Sequence, residues 1–243
     1  MLLEVCVDSP RGLLAAVAGG ADRIELCSAL ALGGLSPSSG LVYLASQAPI
    51  PVYAMVRPRP GDFVFDQDDI AAMLAEIDAL RHSGIAGVVL GANSPDGRLN
   101  KDLLSRLLER AQGMGATLHR AFDLTPSLSE ALETAIDLGF ERVLTSGGKR
   151  AVPDAGDAIS ALVAQARDRI AIMPGSGING GNVADLLKIA GIREIHASCR
   201  SPSPFPLGER SVDFGFQTRS ERETDAGVVR QLRAALSPLH RPE

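Results

Sequence analysis

The side chains with most chemistry to offer stand at or just beyond the ends of short β-branched runs. They are Cys6, Asp8, Glu25, Cys27, Arg57, Arg59, His119, Asp123, His196 and Ser198. Two thiols can ionise and take a soft ion such as Cu(I), with the Met55 thioether as a further soft donor. His119 or Glu25 can move a proton, with Asp123 to orient the imidazole, while Arg57 and Arg59 can clamp an oxyanion. Two glycine-rich turns, Thr145-Ser146-Gly147-Gly148 and Pro174-Gly175-Ser176-Gly177-Ile178-Asn179, offer backbone N–H groups to an anion.

Residues this far apart in sequence need a scaffold that gathers strand ends in one place. A helix-like stretch, a Gly and then a β-branched run recur at Gly19-Gly20, Gly84, Gly115, Gly139 and Gly191. Each reads as a helix stopped by a left-handed glycine and turned into a strand. Adding the runs 2–7, 51–56 and 170–173 gives eight strands, starting near residues 2, 22, 51, 86, 116, 141, 169 and 193. Amphipathic helices are expected between them, for example over 69–81, 103–112, 128–138 and 182–190. This alternation predicts an α/β fold, one (β/α)8 TIM barrel over residues 1–243, with 201–206 a Pro-rich loop and 221–236 the closing helix. A doubly wound open sheet is disfavoured, because Asp8-Ser9-Pro10-Arg11-Gly12 after the first strand is no dinucleotide fingerprint.

Strand parity then sorts the side chains. Glu4, Cys6 and Asp8 share the inward face of the first strand, and Arg23, Glu25 and Cys27 that of the second. Thr117, His119, Ala121 and Asp123 follow in the fifth, Glu194, His196 and Ser198 in the eighth. So polar an interior needs internal partners, water or a ligand. One reading is a self-satisfied network, with Glu4 and Glu25 paired to Arg23 and Arg57. The other is a site at the strand C-termini, where barrels place their chemistry. Cys6 and Cys27 fall at matching positions on neighbouring strands, so their thiols either meet around one soft ion or are buried and inert.

Composition limits the partners. The chain has 243 residues, 24 Lys and Arg against 29 Asp and Glu, a net charge of -5, and three Cys. That balance argues against a nucleic-acid partner. No apolar run reaches the ~18 to 20 residues of a membrane span. A cytoplasmic protein with free thiols is expected.

Taken in order, Glu4-Val5-Cys6-Val7-Asp8-Ser9, Gly20-Ala21-Asp22-Arg23-Ile24-Glu25-Leu26-Cys27, Gly33-Gly34-Leu35-Ser36-Pro37-Ser38, Met55-Val56-Arg57-Pro58-Arg59, His119-Arg120-Ala121-Phe122-Asp123, Leu144-Thr145-Ser146-Gly147 and 173–179 resemble the CutC copper homeostasis family over residues 2–200. The resemblance implies a (β/α)8 barrel, a cytoplasmic role in copper tolerance, a homo-oligomer with a dimer favoured, and Cys6 and Cys27 as Cu(I) ligands. Ser36, Leu118, Ser176 and Cys199 depart from the family pattern, and the tail after Cys199 matches poorly. A copper chaperone alone does not need the mouth described above. The alternative is therefore an enzyme of isomerase or lyase type acting on a small anionic or phosphorylated metabolite. In it His119, Glu25 and Asp123 are catalytic and Arg57, Arg59, Gly147, Gly148, Gly175, Ser176 and Gly177 bind the anion; Asp8, His196 and Ser198 complete the mouth.

Overall fold

A computed structural model describes residues 1–236. Eight parallel strands form one sheet: β1 (Leu2–Val7), β2 (Arg23–Leu26), β3 (Val52–Met55), β4 (Gly87–Leu90), β5 (Gly115–Leu118), β6 (Arg142–Thr145), β7 (Ala171–Pro174) and β8 (Glu194–Ala197). Their order is β7-β6-β5-β4-β3-β2-β1-β8, and β7 and β8 approach each other to close the circle. This is the (β/α)8 barrel that the spacing predicts. The helices between them are α1 (Pro10–Gly19), α2 (Ser39–Ala45), α3 (Gln67–His82), α4 (Lys101–Arg110), α5 (Leu128–Asp137), α6 (Gly156–Ala166) and α7 (Val183–Leu186).

Outward residues such as Val5, Ile24, Val88 and Val143 are wholly buried in the apolar layer between strands and helices. Local signals set the helix ends. Ser9 caps α1 by accepting from the Gly12 N–H, with Pro10 in the first turn, and left-handed Gly20 ends it. Asp66 and Asp69 form a reciprocal capping box on α3.

Three expectations need correction. Residues 182–190 give only the short α7, because beyond it the Lys188 and Ile189 N–H groups bond three residues back, which tightens the turn. The segments expected as a loop at 201–206 and as the start of the closing helix at 221 instead pair as β9 (Arg200–Pro202) and β10 (Arg222–Thr224), antiparallel. They are separated by the short α8 (Glu209–Asp213), and the closing helix α9 begins at Ala226 and is described to Leu236. The left-handed residue before β5 is Gly113, not Gly115. Gly115 is needed for close approach, since a Cβ there would lie 2.2 Å from the Tyr53 hydroxyl.

Candidate functional site

The inward side chains form two tiers. At the floor, Arg23 donates to both Glu4 and Glu194. Arg142 donates to Glu194 at 2.9 Å and to the Thr117 hydroxyl at 3.0 Å. The Tyr53 ring lies under both guanidiniums, 5.3 and 4.8 Å from their carbons. Every charge here has an opposite partner. The Glu4–Arg23 pair is as expected, but Glu25 has no Arg within salt-bridge distance and Arg57 meets no carboxylate among the described residues.

Above the floor lie Cys6, Glu25 and His196, all buried, whose ligand atoms fall within 4.8 Å of one another. The His196 Nδ1 bonds Glu4 Oε1 at 2.8 Å, and its Nε2 is 3.8 Å from Glu25. Burial would raise the Glu4 pKa, but the bond from His196 and the charge of Arg23 hold it down, to about 2. Burial works against charge on His196, yet Cys6, Glu25 and Glu4 hold its proton affinity well above the ordinary imidazole value. Burial pushes Glu25 up and raises both Cys6 and Cys27.

The register corrects the expected matching of the two thiols. Cys6 stands opposite Glu25, so Cys27 lies two residues further toward the mouth, its Sγ 3.5 Å from the Val7 carbonyl. Both sulfurs nonetheless pack in one small cluster with Met55, Tyr53 and Val89.

At the mouth, a cavity of about 480 Å³ is lined by Cys6, Glu25, Met55, Arg57, His119 and His196, among others. Arg57 donates to the carbonyls of Leu32 (2.9 Å), Gly34 (3.0 Å) and Gly61 (2.9 Å). His119 is buried. Its Nδ1 accepts from the Ala121 N–H at 3.2 Å, and its ring lies 4.7 Å from that of Phe63. Burial, and then the charge of Arg57, lower its pKa to about 3, so the ring is neutral at pH 7. Gly91 makes room for it, since a Cβ there would be 2.6 Å from the imidazole.

Several expected members are engaged elsewhere. Asp123 does not orient His119: it accepts from Arg120, from the hydroxyls of Thr145 and Ser146, and from the N–H groups of Ser146 and Gly148. The first glycine-rich turn is thus closed around an internal carboxylate, with the Gly147 N–H on the Thr145 hydroxyl at 2.9 Å. Arg59 is bound to Asp69, Asp62 and the Val64 carbonyl and does not line the cavity. Asp8 accepts from the Leu30 N–H and lies 3.8 Å from Arg200.

The second turn differs. Gly175 bonds back to Thr145, but Ser176 and Gly177 line the cavity, with Ser176 left-handed at φ 85°. Ser198 lines it too. So do Arg120, Arg200 and Cys199, which the sequence reading left without a role. Burial and the nearness of Cys6 push the Cys199 thiol up to about 12. Arg200 was reachable from parity, since it falls two residues beyond inward Ser198.

Among the described residues no helix is long and apolar enough to cross a membrane. The chain matches the model of the CutC family over residues 1–201. A CutC family protein of Sinorhizobium medicae is 54% identical over 239 residues, 98% of this chain and 97% of the relative. One from Caulobacter vibrioides is 52% identical over 241 residues, 98% of each. Among solved structures, a CutC protein of Streptococcus agalactiae, whose name carries a provisional copper homeostasis assignment, superposes with a TM-score of 0.78 at 29% identity. The match covers 82% of this chain and 98% of that one. A structure described as an aldolase, 13% identical with a TM-score of 0.62 over 82% of this chain and 89% of that one, shares the fold alone.

Proposed function

The chain belongs to the CutC family, and on that footing we propose that it is a cytoplasmic copper homeostasis protein that takes Cu(I) at Cys6 and Cys27. The observation that carries this reading is the buried meeting of Cys6 with His196 and Glu25, ligand atoms within 4.8 Å, beside Cys27 and Met55. Thiolate, thioether and imidazole are the soft and borderline donors that Cu(I) takes. Glu25 is a hard oxygen donor and suits that ion least.

Copper is cargo in this reading, and the chain's own residues do the gating. Burial keeps the thiols protonated until the ion arrives, so uptake releases protons and strengthens as pH rises. Glu4, held by Arg23 below it, keeps the His196 imidazole in place.

Anaerobic titration with Cu(I) against a competing chelator tests the reading. The parent should bind one equivalent, and Cys6→Ser/Cys27→Ser should weaken binding by more than about 100-fold, because a hydroxyl is no soft ligand. Equal affinity in the two proteins would sink it. A homodimer is part of the proposal, supported by the exposed Phe205, Phe214 and Phe216, and light scattering checks it.

The isomerase or lyase reading keeps one favourable observation. Glu25 has an unpartnered, buried Oε1 at the cavity, and burial lifts its pKa to about 7, where it can exchange a proton. His119 does not serve as base there, since burial and Arg57 deprive it of proton affinity.

A further inference from the structure

Cations buried without partners are costly, so an excess of them in one cavity calls for an anion. The mouth cavity is lined by Arg57, Arg120, Arg200 and Arg222 but by a single carboxylate, Glu25, in a chain of net charge -5. Asp123 neutralises Arg120, Asp8 lies 3.8 Å from Arg200, and Arg222 is exposed. Arg57 meets only carbonyl oxygens among the described residues. Of five buried side-chain polar atoms without a hydrogen-bond partner among the described residues, four belong to residues of this cavity: Glu25, Arg57, His119 and Arg200.

The unpartnered donors lie at two poles. Arg57 follows β3 and His119 follows β5, with Phe63 against both: its ring is 4.9 Å from the Arg57 guanidinium carbon and 4.7 Å from the imidazole. Because Nδ1 of His119 accepts from Ala121, the ring proton is on Nε2, and that orphan atom is a donor, as is Arg57 Nε. The second pole follows β7 and β8. There Arg200 Nε is an orphan donor, and the N–H groups of Ser176, Gly177 and Ile178 have no acceptor among the described residues. β3 and β7 are four strands apart in a circle of eight, so the poles face each other across the mouth. Met55 and Leu144 supply apolar wall, and about 480 Å³ suits a small metabolite.

We propose that the barrel mouth binds a small organic di- or trianion with a carboxylate or phosphate at each end, one end on Arg57 and His119, the other on Arg200 and the amides of 176–178. None of these groups is a copper donor in the reading above, so either activity can fail without the other.

Calorimetric titration of the copper-free protein with succinate and 3-phosphoglycerate, against butyrate as the monoanion, tests it. At least one of the two should bind more than about tenfold tighter than butyrate, since a second charge-assisted contact is worth that much; which one binds tells carboxylate from phosphate. His119→Ala and Arg200→Gln should each weaken that ligand by about tenfold. Parent crystals soaked in selenate should show anomalous density at one or both poles, a result that needs no variant to fold. No binding of succinate or 3-phosphoglycerate by the parent, no preference over butyrate, unchanged affinity in folded His119→Ala and Arg200→Gln, or selenate absent from both poles would overturn the proposal.

Discussion

The floor and the mouth of this barrel are built from the same residue types and reach opposite ends. At the floor, Arg23 and Arg142 are matched by Glu4 and Glu194, and every charge is bonded to another within the protein. At the mouth, Arg57 and His119 are as deeply buried but keep polar atoms without partners. A closed network holds the strands together and has nothing left to offer a ligand. An open one costs stability and retains binding capacity. The same contrast recurs in the two glycine-rich turns. The turn after β6 is closed on Asp123, and the turn after β7 lines the cavity with amides that have no acceptor among the described residues.

Four substitutions can break or sharpen that contrast. Arg23→Met takes the shared partner from Glu4 and Glu194, leaving them only His196 and Arg142, and should cost about 3 kcal/mol in urea unfolding. A loss below 1 kcal/mol would mean that the floor is not a structural network. Asp123→Asn replaces one of the two acceptor oxygens that the β6 turn and Arg120 share with a donor and removes the charge, so it should cost about 2–3 kcal/mol, with faster amide exchange at 146–148 and unchanged copper affinity. Arg57→Met loses three carbonyl bonds but also removes an uncompensated buried charge, so the cost should be only about 1–2 kcal/mol. If it matches Arg23→Met, the mouth is as structural as the floor.

The last test is the pH dependence of stability, read as a slope per pH unit. His119 takes a proton near 6.5 when unfolded but only near 3 when folded. Its contribution is therefore complete above pH 6.5 and is lost as pH falls, by up to about 1.4 kcal/mol per pH unit. His119→Gln should flatten the acid side of the stability profile. His196, whose folded affinity is raised, acts in the opposite sense: its contribution is full below pH 6.5 and fades as pH rises through its folded value.

Much of the site was legible because strand parity carries information wherever a strand is regular. Glu4, Cys6, Arg23, Glu25 and His196 all face inward as the alternation requires. Parity gives out beyond the strand ends. Asp123 sits on a 3-10 turn after β5, and that turn swings its carboxylate to the β6 loop instead of to His119. Arg59 follows a proline and curls back to Asp69. Cys27 was placed on the correct face but in the wrong layer, because alternation fixes a side and says nothing of stagger between strands.

The sequence by itself determined the eight-unit barrel, the family, the inward polar face and the glycine-rich turns, all of which follow from local periodicity and short motifs. The tertiary structure alone decided which charges are paired. Pairing depends on the stagger of neighbouring strands and on where loops return, and both are set by packing between residues as distant as Glu4 and His196 or Asp123 and Gly148.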